Sequence, residues 1–281
     1  LEWVCRAFAE QLKNNWRNLY RKEALKYMLL VIDVGNTNTV LGLYREEEFL
    51  HSWRIRTDKA RTDDECAMLL NDLMTYRNFE IAQISAVIIS CVVPPLLDAL
   101  TRMSHKYCGV EPIVVGTQIE TGMEIAYDNP QEVGADRIVN AVAAYARYQS
   151  ALIVVDFGTA TTFDYISANG VYQGGAIAPG LGISADALHE HASKLPRVSL
   201  EPPPLVVGRN TVNSMQSGLL FGYAGLVDGI VMRMKAEVED QPQVIATGGL
   251  AEQIASAATS IDAVEPQLTL DGLRQLYMLN R

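Results

Sequence analysis

The stretch "VIDVGNTNTVLGLY" at residues 31–44 is rewritten at residues 154–167 as "VVDFGTATTFDYIS". Aligned on their aspartates, the copies set Asp33 over Asp156, Gly35 over Gly158, Asn36 over Thr159 and Thr39 over Thr162. In each, an apolar run of buried-strand type ends on a carboxylate, and a glycine then lets the backbone turn with its N–H groups exposed. Amides and threonine hydroxyls in such a turn donate to phosphate oxygens. The carboxylate suits a hydrated Mg²⁺, which takes one or two carboxylates beside phosphates. One copy alone reads more simply as an Asx-type hairpin turn, but two in matched contexts favour a phosphate site. No G-x-x-x-x-G-K-[ST] run occurs and neither turn contains Lys, which excludes a P-loop.

Outward from the first copy, "FLHSWRIRT" reads as a strand and "TDDECAMLLNDLM" as a capped amphipathic helix. "ISAVIISCVV" is a buried strand closed by Pro94-Pro95, "PLLDALTRMSHKY" a helix, "EPIVVG" a short strand and "GADRIVNAVAAYARYQ" a helix. The order restarts at Ala151. "VYQGGAIAPGLG" then runs into a Gly-rich turn, helices follow at "ISADALHEHASKL" and "TVNSMQSGLLFGYAGLVDGIVMRMKAEV", and "QVIATGG" leads into the helix "LAEQIASAA". Alternating strands and helices predict α/β layers, with a duplication boundary near Ser150: halves at residues 28–150 and 151–281.

Residues 1–27 differ from the rest. They carry six Lys/Arg and three Glu, and Val4, Phe8, Leu12, Trp16 and Tyr20 form an i, i+4 stripe; an extension outside the fold is the simpler reading, a targeting or membrane-surface helix the other. The whole chain has a net charge of −10, so residues 28–281 carry −10 minus +3, or −13. Such a body repels a nucleic-acid backbone, and an anionic ligand needs backbone amides or cations. Four scattered cysteines suggest neither disulfides nor zinc, and the interrupted apolar runs suggest no membrane span; a cytoplasmic protein is expected.

The twice-used turn resembles the phosphate loops of the actin, sugar-kinase and heat-shock-chaperone superfamily. The wording is similar to type III pantothenate kinase from about Met28 almost to the C-terminus, through "DVGNTNTV", "VVPPL", "NPQEVGADRIVNAV", "VDFGTATTFD", "GGAIAPGLGISADAL", "KLPRV", "NTVNSMQSG" and "VIATGGLA". The resemblance implies a duplicated actin-like, ribonuclease H-like ATPase fold with an interdomain cleft. It implies ATP-dependent phosphorylation of pantothenate to 4'-phosphopantothenate, the first step of coenzyme A synthesis, and a homodimer. ATP phosphates and Mg²⁺ would lie against Asp33, Val34, Gly35, Asn36, Thr37, Asn38, Thr39 and Val40, with Thr159 a second ATP contact and Asp156 the ligand of K⁺ or NH₄⁺. Gly248 and Gly249 resemble the superfamily's adenosine-side turn.

On the acceptor side, Asp136 opens a helix, where it reads as a helix-terminal acid or as a base for an acceptor hydroxyl. The resemblance implies the base. It also places Tyr127, Gly134, Ala135 and Arg137 in the pantothenate pocket, with Arg137 clamping a carboxylate or, on a plainer reading, forming a surface salt bridge. Thr211 would reach pantothenate from the partner subunit, or cap the long helix that follows. That helix carries Gly218, Gly222, Gly225 and Gly229, each costing about 1 kcal/mol against Ala, which asks for close approach of another backbone in the core or across a dimer. His189 and His191 stand at i and i+2 on their helix and do not form a metal pair. A phosphohydrolase on the same fold and a non-catalytic transcriptional accessory factor remain as alternatives.

Overall fold

The computed structural model describes residues 28–116 and 119–281, so the stripe read in residues 1–27 lies outside the described residues. The first sheet begins with β1 (Met28–Val34), central in the sheet and buried along nearly its whole length on both faces. It runs antiparallel to β2 (Asn38–Arg45) and parallel to β4 (Ile84–Cys91), while β3 (Glu48–Arg56) and the two-residue β5 (Ile113–Val114) complete the order β3-β2-β1-β4-β5. In the second sheet β6 (Leu152–Phe157) pairs antiparallel with β7 (Ala160–Ile166) and parallel with β9 (Gln243–Gly248). With β8 (Tyr172–Pro179) and β10 (Ala263–Val264) the order is β10-β9-β6-β7-β8. Read from its other edge, this is the first sheet's order again. The repeat in the sequence is a repeat of topology, and the fold is the duplicated actin-like α/β fold.

Helix α1 (Asp63–Thr75) starts at a complete capping box, Thr62 with Glu65, and α2 (Pro94–Met103) starts on its paired prolines. Their apolar faces cover the first sheet, with Leu70, Met74, Leu96 and Leu100 packed against Leu30, Ile32 and Ile89. Then come α3 (Ala135–Tyr148), α4 (Leu181–His191), α5 (Thr211–Glu237), α6 (Ala251–Ala255) and α7 (Leu268–Asn280). Three of these elements were not read from sequence: β8, β10 and α7. Strand β8 looked like a turn because it is glycine-rich. The glycine at 175 is required there, since a Cβ would lie 1.6 Å from the Phe163 carbonyl oxygen on β7.

Two compact units divide the chain. One holds residues 28–34 and 38–115, the other Gly35–Thr37 and Gly116–Arg281. This packing boundary is not the repeat boundary near Ser150. Helix α3 belongs to the first repeat by sequence but packs in the second unit, on α7 and against the β6–β7 core with Ala141 and Ala144 beside Leu152 and Val154.

Among the described residues α5 is the one helix long and apolar enough to cross a membrane. Its Leu219, Leu220, Tyr223, Val227 and Val231 belong to the second unit's core, so it is a core helix by its contacts. Its N-cap is Asn210, whose side chain accepts from the Asn213 N–H at 2.8 Å; Thr211 is the first helical residue and exposed, not the cap.

Helices α3 and α7 approach closely at Gly272, where a Cβ would lie 2.3 Å from the Val139 carbonyl oxygen. Gly→Ala in a helix ordinarily stabilises by about 1 kcal/mol. Here Gly272→Ala should instead destabilise by about 1–3 kcal/mol, through overpacking, in urea denaturation.

Candidate active site

Asp33 is the next-to-last residue of β1, paired in register with Val40 on β2 and Ser90 on β4. The turn after it, Asn36 to Asn38, is exposed, whereas Val34 and Thr39 are buried. The Val34 side chain lies in the core, and the Thr39 hydroxyl lies 2.9 Å from that of Thr57. Val40 continues β2 opposite Arg54.

The second copy has the same plan. Asp156 precedes the last residue of β6 and pairs in register with Thr162 on β7 and Thr247 on β9. Gly158 and Thr159 form an exposed turn closed by the Gly158 N–H to the Ala160 carbonyl at 3.1 Å. Thr37, which belongs to the same compact unit, places its hydroxyl 2.9 Å from that of Thr159, so one residue from each turn meets.

Glycines shape the second turn from two sides. A Cβ on Gly180 would lie 2.2 Å from the Thr159 carbonyl oxygen. At Gly248, with φ +94°, a Cβ would lie 2.5 Å from Asp156 Oδ1, so the "ATGG" turn is pressed against the carboxylate and needs glycine for both space and backbone. Among the described residues no three of His, Cys, Asp or Glu gather as a metal cage. Each strand-end carboxylate is a single anionic ligand, the arrangement that suits a Mg²⁺ completed by phosphate and water.

Asp136 lies in the first turn of α3, behind the N-cap Gly134 and the first helical residue Ala135. Its Oδ1 accepts from the Arg137 N–H at 2.9 Å, and a Cβ on Gly134 would lie 2.5 Å from that oxygen. Glycine at 134 therefore lets the carboxylate fold over the helix start. One turn further on, Asn140 is buried and donates through Nδ2 to Asp156 Oδ2 at 2.9 Å, while its Oδ1 accepts from the Thr269 hydroxyl at 2.7 Å.

Arg137 is neither a surface salt bridge nor a mobile clamp. It is 6% exposed, and its Nε donates to Asp164 Oδ1 at 2.8 Å. Nη2 lies 2.6 Å from the same oxygen but off the hydrogen-bond line, a Coulomb contact without a second bond. Asp164 is fully buried and also accepts from the Tyr172 hydroxyl at 2.7 Å and the Thr162 hydroxyl at 3.1 Å. Burial pushes its carboxyl up, against the pull of those three donors, and burial with Asp164 beside it pushes the Tyr172 hydroxyl up as well. Tyr127 stands at the edge of this cluster, its ring 6.4 Å from that of Tyr172 and against Gly174. Sequence reasoning missed Asn140, Asp164, Tyr172 and Thr269. Only Asn140 left a trace, one helical turn after Asp136 in "ADRIVN".

The family model for type III pantothenate kinase matches residues 29–233. A type III pantothenate kinase of Syntrophotalea carbinolica is 62% identical over 254 residues, covering 90% of this chain and 100% of the relative. That of Geobacter sulfurreducens is 61% identical with the same coverage. Among solved structures, a protein described as a Baf family transcriptional activator from Campylobacter jejuni superposes with a TM-score of 0.54 at 19% identity over 89% of this chain and 97% of that one. The ethanolamine utilization protein EutJ from Carboxydothermus hydrogenoformans gives 0.55 at 14% identity over 89% of each chain. These two likenesses are of fold alone. With its repeated turns, its "GADR" helix start and identity above 60% over the length of its relatives, the chain belongs to the type III pantothenate kinase family.

Proposed function

We propose that the chain moves the γ-phosphoryl group of ATP to the primary hydroxyl of pantothenate, with Asp136 taking the proton as the oxygen–phosphorus bond forms and ADP leaves. The observation that carries the reading is the strand-end carboxylate turn, present twice, in a member of this family. Asp33, the backbone of Val34, Gly35, Thr39 and Val40, and the exposed Asn36, Thr37 and Asn38 form the ATP phosphate loop, with Thr159 the second contact. Mg²⁺ beside Asp33 and K⁺ or NH₄⁺ beside Asp156 supply charge neutralisation to phosphates that meet no lysine in either turn. Such transfer depends on positioning and electrostatics more than on covalent chemistry by the protein.

Tyr127, Gly134, Ala135 and Arg137 line the pantothenate pocket. Because Asp164 holds Arg137 in place and meets its charge, the guanidinium offers its remaining N–H donors from a fixed position rather than a reaching charge. The reaction belongs in the cytoplasm with the other users of ATP. A homodimer, in which Thr211 of the partner subunit reaches pantothenate, is the family's implication, and the exposed start of α5 and the glycines along it support it.

Asp136→Asn should keep ATP binding and lower kcat by about 10²–10⁴, the usual contribution of a general base. Near-normal ADP release in a coupled assay with pantothenate would remove Asp136 from that role. The same assay without pantothenate separates a kinase from a phosphohydrolase, whose ADP release the vitamin leaves unchanged.

The dimer has its own test. Among the described residues, Cβ atoms at Gly218, Gly222 and Gly225 would meet nothing within 4 Å, so no contact with the described core explains these glycines. Gly222→Leu should therefore fold normally and run at half the wild-type mass in light scattering. Monomeric mass for both proteins would remove the dimer.

A further inference from the structure

We infer that Asn140 is a positioning residue for Asp156, held in its working orientation by Thr269. The inference rests on the reading of Asp156 as a cation ligand. Asn140 is 1% exposed on a helix face otherwise buried as Ile138, Val139, Ala141 and Ala144. An amide there is costly unless both ends are paired, and both are. A carboxylate only accepts, so the amide N–H must face Asp156 and the amide oxygen must face away. The carboxylate sets that choice, since the flipped amide would put oxygen against oxygen, and the Thr269 hydroxyl, donating at 2.7 Å, satisfies the outward amide oxygen and holds the side chain there. A side chain at Gly248 would collide with Oδ1 of the same carboxylate, so glycine there leaves that oxygen its place while Asn140 holds Oδ2. Thr269 lies on α7, beyond residues 29–233 that the family model matches, so the last helix contributes to the turn's geometry.

Outer groups that orient a ligand typically change metal affinity or activity by about 10–100-fold when removed. The test titrates KCl against wild type, Asp156→Asn, Asn140→Ala, Thr269→Val and Thr269→Ser, with choline chloride holding ionic strength. It reads the K⁺ concentration for half-maximal rate and the K⁺-induced shift in Tm beside a non-hydrolysable ATP analogue. Expected are loss of the K⁺ response in Asp156→Asn, a roughly 10-fold higher K⁺ requirement in Thr269→Val and Asn140→Ala, and Thr269→Ser within about twofold of wild type. Thr269→Val is near-isosteric and keeps the test open where Asn140→Ala fails to fold. An unchanged K⁺ requirement in Thr269→Val, with Asp156→Asn unresponsive, overturns the positioning role alone, as does equal impairment by Val and Ser. A flat K⁺ response shared by wild type and Asp156→Asn overturns the cation reading and the inference with it.

Discussion

A chain of net charge −10 with no lysine in either repeated turn must meet a triphosphate there with something other than a lysine side chain. What remains is the backbone, with N–H groups exposed where a buried strand stops, and the cations proposed beside the carboxylate that stops it. That constraint explains why glycine recurs around the second turn. Gly158 makes the turn, and Gly180 and Gly248 let neighbouring backbone come within van der Waals reach of it. A side chain at either of the last two would occupy space the turn's carbonyls or the Asp156 carboxylate already fill.

Much of this was legible in the sequence because it is written locally. An apolar run, an aspartate, a glycine and a polar pair specify strand, stop and turn, and writing them twice specifies the topology that both sheets share. The capping box at Thr62 and the prolines at 94 and 95 announced their helices in the same way. Elements whose reason is non-local were not legible. Strand β8 carries glycines because β7 lies against them, and nothing in "YQGGAIAP" itself says strand. The division of the chain into compact units likewise follows from packing, and α3 crosses from the repeat that encodes it to the unit that buries it.

The site shows the same limit. Residues that offer backbone or bear a charge at a helix start were placed by pattern: Asp33, Gly35, Asp136 and Asp156. The partners of those residues were not, since Asp164 is 27 residues from Arg137 and Thr269 is 129 from Asn140. Arg137 illustrates the cost of that blindness. From sequence it is a cation beside an anionic substrate; in the structure its charge is already met by a buried carboxylate. Removing one partner from such a pair costs about 3–5 kcal/mol, so the Arg137–Asp164 contact ties α3 to β7 whatever Arg137 also binds.

Helix α3 gives these separate features one frame. Its residues 136, 137 and 140 carry the proposed base, the anchored guanidinium and the brace on Asp156. Positions four apart stand on one face about 6 Å apart along the axis, so the base and the brace are set by a single helical turn. The pressure of α7 at Gly272 seats that helix, and Thr269 on α7 closes the hydrogen-bond chain that ends on Asp156. The proposed base and the brace on Asp156 therefore share one helix in the second compact unit. Anything that shifts α3 along its axis must move both together.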